Sequence, residues 1–417
     1  MNEKIKDIST FIISILFFIC LLLIINFIPQ SLIKDNIIKS VQNIKTYEEY
    51  ELNKLPQIRT NNLEELYMIE VLYYHNSSDN INSTLSANYN QIRKNDTDYI
   101  STVQNMMNIN SGLDSYGQYW NGMNIILRPL FILFSLTQIK IILGIFLFLL
   151  IGLYIYLCEK NNLRRLWISY IIGAIMTGVF LTPISLEYIW TFLVMMVGAN
   201  LILLIKKDMP SLFVIFGVTT AFFTHHTNAL IIFMVMLLTY FEKYKTNENF
   251  KKCIISIFKL FIKWMISFVL TIALKWILTS IFCNVNLDLI NEHKLDLSTF
   301  QLVFNSIYLN ISRLYPLNPN NSSTANMIIF IVVIVVYMYF LYIYKTKNIN
   351  RKKITLYSYV AFLPIINLII DYNYFYIYSF STYRIFLGTI MCAILIAFEM
   401  SGFCKSKDNA VSNTVTK

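Results

Sequence analysis

The sequence predicts an all-α polytopic membrane protein with about ten transmembrane helices, some short or broken, and a small extracytoplasmic cap. Hydrophobic residues make up 56% of the chain and charged residues only 14%, whereas a soluble domain carries about 25% charged residues. The apolar residues form long uncharged runs near the length of about 20 residues that a bilayer requires. Short basic segments separate these runs.

The positive charge indicates membrane topology. The chain carries a net charge of +10, which by itself would also suit a nucleic-acid partner. The basic residues nevertheless lie between apolar runs and accompany no nucleic-acid-binding motif, so the predicted partners are membrane lipids and not nucleic acid. The basic clusters are Lys4 and Lys6, Arg164 and Arg165, Lys206 and Lys207, Lys243 to Lys252, and Lys345 to Lys353. They predict cytoplasmic loops, with both chain ends inside.

The first apolar run predicts a signal-anchor helix within residues 1–29. It follows Lys4 and Lys6 and continues to Ile28 without a small-residue cleavage site. Residues 30–125 are polar and predict an extracytoplasmic loop or cap. Apolar residues recur at helical spacing over 63–74, so we expect this cap to be largely helical.

Residues 126–403 predict a multi-helix membrane domain, followed by a cytoplasmic tail at 404–417. The stretch from Trp120 to Lys140 is apolar but contains Arg128, Pro129 and Gln138, which favours an interfacial or re-entrant helix. The later spans are predicted at 141–158, 166–182, 189–205, 211–223, 229–241, 261–281, 327–344, 354–370 and 385–403, with an outer loop at 282–326.

The spans 211–223 and 229–241 are near the lower length limit for crossing a bilayer. A partly inserted hairpin is the alternative for this pair. Their connection, His225-His226-Thr227-Asn228, is the most polar point of a strongly apolar region. A histidine here can bind a metal or a phosphate, and the alternative is a polar turn that joins two short helices.

A second cluster precedes the span at 141–158. Asp114 lies among Tyr116, Tyr119 and Trp120, with Arg128 close behind. Burial at a membrane surface would raise the pKa of the Asp114 carboxyl and suit it to act as a base. The aromatic residues equally suit a belt at the level of the lipid headgroups.

A third cluster lies before the last span. Arg384 is basic although it lies on the predicted outer side, and seven aromatic residues separate it from Asp371. An anionic partner would account for this arginine: a lipid headgroup, a diphosphate or the Asp371 carboxylate. The exposed tyrosines also suit stacking against a sugar.

Several classes of function lack their signatures. The chain contains no P-loop, no H-E-x-x-H, no G-x-S-x-G and no Rossmann glycine pattern. Ionisable residues near the middle of spans, which proton-coupled transporters need, are almost absent. ATP-driven transport, zinc proteolysis, serine hydrolysis and secondary transport are therefore disfavoured.

At these three clusters the sequence resembles multi-spanning membrane proteins of low-GC Gram-positive bacteria. The residues that carry the resemblance are the Tyr-x-x-Tyr-Trp-x-Gly pattern at 116–122, Leu127-Arg-Pro129, His225 to Asn228, and Ser381-Thr-Tyr-Arg384. More distantly, the layout is similar to that of GT-C glycosyltransferases, which have a signal anchor, a large first outer loop and a site at the outer membrane surface. The resemblance implies a bacterial plasma-membrane protein that uses a lipid-linked sugar.

Three hypotheses follow. The first is a GT-C-like glycosyltransferase for cell-envelope glycans that uses a polyprenyl-phosphate sugar, with Asp114 or Asp35 as the catalytic carboxylate or the ligand of a divalent cation. Arg128, Arg384, and His225 or His226 would neutralise the phosphate, and Asn228 and the aromatic residues would bind substrate. The second is an O-antigen-type polysaccharide polymerase or flippase, which needs no metal. The third is a membrane scaffold or accessory subunit without enzymatic activity.

Overall fold

The computed structural model of the protein describes residues 3–44, 50–52, 59–90, 113–115, 117–245, 249–283, 299–314 and 350–401. The helices are α1 (Glu3–Asn26), α2 (Gln30–Ile44), α3 (Asn62–Tyr73), α4 (Asn80–Ser86), α5 (Asn124–Leu133), α6 (Leu136–Lys160), α7 (Arg164–Met176), α8 (Leu186–Leu204), α9 (Leu212–Phe223), α10 (Ala229–Tyr240), α11 (Phe250–Cys283), α12 (Thr299–Ser312), α13 (Arg351–Ile370), α14 (Tyr372–Ile377), α15 (Ser379–Thr382) and α16 (Leu387–Ser401).

Six helical segments are long and apolar enough to cross a membrane, within the ranges just given. They are α1, α6, α8, α11, α13 and the segment Ser379–Ser401. The helices α5 and α9 are apolar but shorter. These segments confirm the prediction of a helical membrane protein with several spans. The predicted span at 327–344 lies outside the described residues.

The stretch predicted as an interfacial or re-entrant helix contains the short helix α5 and the start of α6. The helix α5 runs through Pro129, which lies in its sixth position and therefore removes only one hydrogen bond near the helix start. The helix α5 ends at Leu133, and α6 begins directly after Ser135. Gln138 belongs to a capping box there, because its side chain accepts a hydrogen bond of 2.9 Å from the Ser135 backbone amide and so helps to start α6.

Two helices form the centre of the membrane domain. The side chains of α8 and α10 are buried almost throughout, which agrees with their uniformly apolar sequences. The flanking helix α9 packs closely against α11 at Gly217, where an added Cβ would lie 2.5 Å from the Trp264 carbonyl oxygen. The short hairpin of α9 and α10 is thus enclosed by longer helices.

The end of the bundle that carries the start of α1 is here called the basic face. Ion pairs join neighbouring helices there: Lys353 lies 3.2 Å from Glu242, and Arg165 lies 3.0 Å from Glu399. The hydroxyl of Tyr357 also bonds to the Glu242 carboxylate. Because these carboxylates are nearly buried, each pair fixes two helix ends relative to each other.

The opposite end is here called the cap face, and the residues 62–90 cover part of it. Two pairs of antiparallel strands accompany the cap helices: β1 (Tyr50–Leu52) with β2 (Arg59–Asn61), and β3 (Asn88–Asn90) with β4 (Leu113–Ser115). The cap is tied to the bundle by the buried Lys275 of α11, which donates a 2.7 Å hydrogen bond to the Leu85 carbonyl. Asn80 similarly bonds to the Leu23 carbonyl at 2.9 Å.

Candidate functional site

The histidine pair lies at the cap face, at the tip of the short hairpin. The helix α9 ends at Phe223, and a single 3₁₀ turn, His226–Asn228, leads directly into α10. His225 is extended, and the two imidazole rings therefore leave the turn in different directions. The amide side chain of Asn367 on α13 approaches the Thr227 carbonyl at 3.4 Å, which attaches the turn to a neighbouring helix.

His226 joins two segments that are remote in sequence. Its Nε2 lies 3.2 Å from Oδ2 of Asp371, and its Nδ1 lies 3.4 Å from the hydroxyl of Tyr119. An ionised carboxylate only accepts hydrogen bonds, so the proton belongs on Nε2 and Nδ1 accepts from the phenol. The three side chains form the chain Tyr119–His226–Asp371, and both His226 and Asp371 are partly open to solvent.

His225 faces the cap. Its Nε2 lies 3.6 Å from Oε1 of Glu64 in the first turn of α3, and its ring meets the Tyr119 ring edge-on at 4.9 Å. Burial, together with the neighbouring His226, lowers the pKa of His225 to about 4. At neutral pH His225 is therefore uncharged.

Tyr119 reaches the histidines because the segment before α5 lies directly against the end of α9. The Gly122 amide donates a 2.8 Å hydrogen bond to the Phe222 carbonyl. A Cβ at Gly122 would lie 2.6 Å from that oxygen, so glycine permits this approach. Burial and the carboxylates of Glu64 and Asp371 raise the pKa of Tyr119, which keeps the phenol protonated as a hydrogen-bond donor.

Tyr374 and Tyr378 extend the site along the segment that follows Asp371. Their rings lie 4.3 Å apart, and the Tyr374 ring lies 5.6 Å from His226. Burial, and then the charges of Glu187 and Glu64, raise the pKa of both phenols. Aromatic rings and protonated phenols thus form a rim beside His226.

Arg384 follows Tyr374 and Tyr378 in the chain, at the start of the last span, and is 1% exposed. Its guanidinium carbon lies 4.3 Å from the ring centre of Tyr188 and 4.8 Å from that of Tyr383. Nη1 donates to the carbonyls of Phe380 and Ser381, while Nε and Nη2 have no hydrogen-bond partner among the described residues. A buried cation with two unsatisfied donors is costly, and an anion would satisfy both.

Asn310 of α12 fixes the backbone on which these residues lie. Its amide nitrogen donates to the Phe375 carbonyl at 2.8 Å, and its oxygen accepts from Thr382 at 2.7 Å. One buried side chain therefore links the Tyr374 region to the turn that carries Arg384.

The structure brings together three of the predicted site residues: His225, His226 and Tyr119. Arg384 lies in the segment that follows Asp371 and contacts Tyr188 and Tyr383. Asn228 lies in the same turn, and its side-chain oxygen is buried without a hydrogen-bond partner in the described part of the chain. Asp35 lies exposed on α2, and none of the contacts around the histidine pair involves it. Asp114 lies in β4 opposite Tyr89. Tyr116 is outside the described residues.

Trp120 and Arg128 have structural partners. The Trp120 indole donates a 2.9 Å hydrogen bond to the Thr271 carbonyl of α11. Arg128 is fully buried and donates at 3.0 and 2.6 Å to the Ile28 carbonyl and at 3.0 Å to the Leu72 carbonyl. It thus holds the ends of α1 and α3 together, where helix dipoles favour a cation.

These hydrogen bonds predict that Arg128 stabilises the fold, and its substitution tests that role. We expect Arg128→Met to lower the free energy of unfolding by about 3 kcal/mol, because three buried carbonyl contacts to a charged group are lost. Thermal unfolding of the detergent-purified protein measures this change. Arg164→Met, at a 61% exposed side chain, is the control and should change stability by less than about 0.5 kcal/mol. Equal stability of the two variants would contradict the structural role.

Glu64, Glu187 and the Tyr374–Tyr378 pair are site residues that sequence reasoning did not single out. Glu64 lies in the stretch 63–74, which the sequence predicts to be helical. The spacing of its apolar residues does not show which side chain of this helix faces the membrane domain. Glu187 lies in the first turn of α8, and its position between two predicted apolar spans is a usable signal. Asp371 was noted only as a partner for Arg384, whereas the structure pairs it with His226.

Among the described residues, no three His, Cys, Asp or Glu side chains are arranged to hold a metal ion. Glu65, the most deeply buried acid near the site, is occupied by Lys140 at 2.6 Å and by the Leu186 amide at 2.8 Å. It serves to start α8 and to anchor the cap.

Comparison with models of protein families, with curated proteins and with solved structures finds no match for this chain.

Proposed function

We propose that the protein is a GT-C-like glycosyltransferase that uses a polyprenyl-phosphate-linked sugar in cell-envelope glycan assembly. The observation that carries this proposal is the chain Tyr119–His226–Asp371 at the rim of the cap face, together with the buried Arg384 in the segment that follows Asp371. A base, a set of aromatic rings and an unsatisfied cation are the groups that sugar transfer from a phosphate requires.

Asp371 is the preferred general base. In the proposed step an acceptor hydroxyl oxygen attacks the anomeric carbon of the donor, and the bond from that carbon to the phosphate oxygen breaks. The bonding electrons leave with the polyprenyl phosphate, and the hydroxyl proton passes to the Asp371 carboxylate. His226, at 3.2 Å, orients the carboxylate, while the protonated Tyr119 fixes the imidazole.

Arg384 is the preferred group for the phosphate. Phosphate departure builds negative charge, which a desolvated guanidinium stabilises more strongly than a solvated one does. Nε and Nη2 of Arg384 are the donors left unsatisfied. The Tyr188 and Tyr383 rings hold the guanidinium plane in place.

The short hairpin suits a lipid-linked donor. Its first helix, α9, has 12 residues and so is about 18 Å long, whereas the hydrocarbon core is about 30 Å thick. If α9 starts at the lipid boundary of the basic face, the tip of the hairpin lies inside the hydrocarbon core and does not reach the opposite lipid boundary. A recessed tip would allow a polyprenyl chain to remain in the bilayer while its phosphate reaches the site.

The proposed topology places the cap face outside a bacterial plasma membrane, with about ten spans and both ends in the cytoplasm. The basic side chains at the opposite end support this orientation. They include Lys206, Lys207, Lys245, Lys252 and Arg351.

An O-antigen-type polymerase is the second candidate. The absence of a three-ligand metal group among the described residues, together with the buried Arg384, favours a metal-independent transfer. Activity that persists in EDTA would support a metal-independent transfer by Asp371 and Arg384, whereas loss of activity that Mg²⁺ or Mn²⁺ restores would support a glycosyltransferase with a divalent cation.

The test of function is accumulation of the donor. We expect deletion of the gene to raise the amount of a polyprenyl-phosphate-linked sugar in lipid extracts and to remove a sugar from the envelope glycan. His226→Ala should fail to restore either, because the Asp371 base loses the imidazole that orients it, and misplacement of a catalytic group can lower the rate by about 100-fold. Mass spectrometry of both fractions measures this. Asp79→Asn, at an exposed carboxylate of the cap, is the control and should restore both fractions; unchanged lipid and glycan in the deletion strain would contradict the proposal.

A further inference from the structure

A cavity of about 310 Å³ opens at the basic face, far from the histidine pair. The start of α1, Pro210 before α9, and the first half of α11 form its walls. Four of its lining side chains are lysines: Lys245, Lys252, Lys259 and Lys263. Such a density of positive charge in a concave site requires either internal carboxylates or an external anion.

Helical spacing aligns three of these lysines. Lys252, Lys259 and Lys263 follow one face of α11, with Ser256 between them at the same periodicity. The face is therefore a basic stripe with one small polar residue, and it extends from the aqueous side toward the membrane.

Two of the lysines are already neutralised. Lys263 lies 2.7 Å from Glu3 and 2.8 Å from Asp7, and Lys245 lies 2.9 Å from Asp208. These pairs hold the cavity walls in place, since each joins different helices or connections. Glu3 is the carboxylate that lines the cavity, and it lies in the field of both Lys263 and Lys259.

Lys252 and Lys259 differ from Lys245 and Lys263 in their ion pairing. Both side chains are exposed, and neither forms an ion pair in the part of the chain that the structure describes. They are seven residues apart, two helical turns, so their ammonium groups can approach one anion from two sides. The charge that is left for a ligand therefore lies on this pair.

The side chains next to Lys252 and Lys259 indicate which kind of anion binds here. Beside the basic stripe, α11 exposes Ile255, Phe258 and Ile262, which are 45%, 61% and 38% exposed. Apolar side chains next to paired lysines match a molecule with a phosphate and hydrocarbon chains. We propose that this cavity binds the phosphate headgroup of an anionic glycerophospholipid, whose acyl chains lie along the exposed apolar face of α11.

The test compares two double variants of equal charge change. Native mass spectrometry of the detergent-purified full chain, with added phosphatidylglycerol, measures lipid retention. We expect Lys252→Gln/Lys259→Gln to weaken retention by about tenfold, since each basic group near an anionic surface contributes about 1 kcal/mol, less where it is exposed. Lys206→Gln/Lys207→Gln, at exposed lysines of the same face outside the cavity, should retain the lipid as the wild type does.

Three outcomes would overturn the proposal. Equal retention by both variants, or an equal loss in both, would show that the cavity lysines have no specific role. Phosphatidylcholine retained as strongly as phosphatidylglycerol would show that the headgroup charge is not recognised. Saturable binding of inorganic phosphate without retention of phosphatidylglycerol would assign the lysines to a soluble anion. The inference is independent of the activity at the cap face.

Discussion

Asp371→Asn is expected to lower the rate of sugar transfer by about 100- to 10,000-fold, the usual contribution of a positioned general base. The amide has the same shape, and its oxygen still accepts the hydrogen bond from His226 Nε2, so the 3.2 Å contact can persist. The asparagine amide, however, is not basic enough to remove the proton from the acceptor hydroxyl. The carboxylate is 32% exposed, so the substitution leaves no buried charge unpaired.

Transfer of labelled sugar from a polyprenyl-phosphate donor in proteoliposomes measures this effect. Asp79→Asn is the matched control, because it makes the same chemical change at an exposed cap residue and should leave the rate unchanged. An unchanged rate in Asp371→Asn would reject Asp371 as the base. A fall in protein amount that parallels the fall in activity would assign the residue a structural role instead.

Arg384→Met is expected to lower the rate of transfer by about 100- to 1,000-fold and yet to leave stability unchanged or raise it by about 1–3 kcal/mol. The guanidinium is 1% exposed, and two of its nitrogens lack hydrogen-bond partners within the described chain. Methionine fills a similar volume between Tyr188 and Tyr383 without that desolvation cost. Without the cation, the departing phosphate loses a contribution of about 100- to 1,000-fold in rate.

The opposite signs of the stability changes separate the two buried arginines. Arg128 donates three hydrogen bonds to two carbonyls, and its removal should destabilise the fold. Arg384 has two nitrogens without hydrogen-bond partners in the described chain, and its removal should not destabilise the fold. Thermal unfolding and proteoliposome transfer, measured on the same preparations, give both quantities. A large loss of stability in Arg384→Met, with activity per folded molecule retained, would contradict the phosphate role.

Apolar runs and basic loops were sufficient to predict the class of fold. The helix boundaries of α8, α9 and α10 fall within a few residues of the predicted spans, because uniformly apolar sequence between polar turns defines them well. The helix α5 continues through Pro129 because a proline near a helix start removes only one hydrogen bond. The capping box that Gln138 forms with Ser135 was not predicted from the sequence.

The candidate site was only partly predictable. His225, His226 and Arg384 were found because polar residues are rare at the ends of apolar spans. Glu64 was not, because its position depends on how the cap packs over the tip, and no local pattern encodes that contact. Arg128 was predicted for the same site as Arg384, since sequence does not distinguish a cation that binds carbonyls from one that lacks partners.

The binding of polyprenyl phosphate at the cap face is the central claim, and photo-crosslinking tests it most directly. A polyprenyl phosphate with a diazirine next to its phosphate would be incorporated into proteoliposomes, irradiated and mapped by peptide mass spectrometry. We predict crosslinks in the segments 117–123, 224–228 and 371–386, and their loss in Arg384→Met. Crosslinks confined to the lysine-lined cavity of the basic face, or to lipid-facing helices with the cap-face segments unlabelled, would contradict the account.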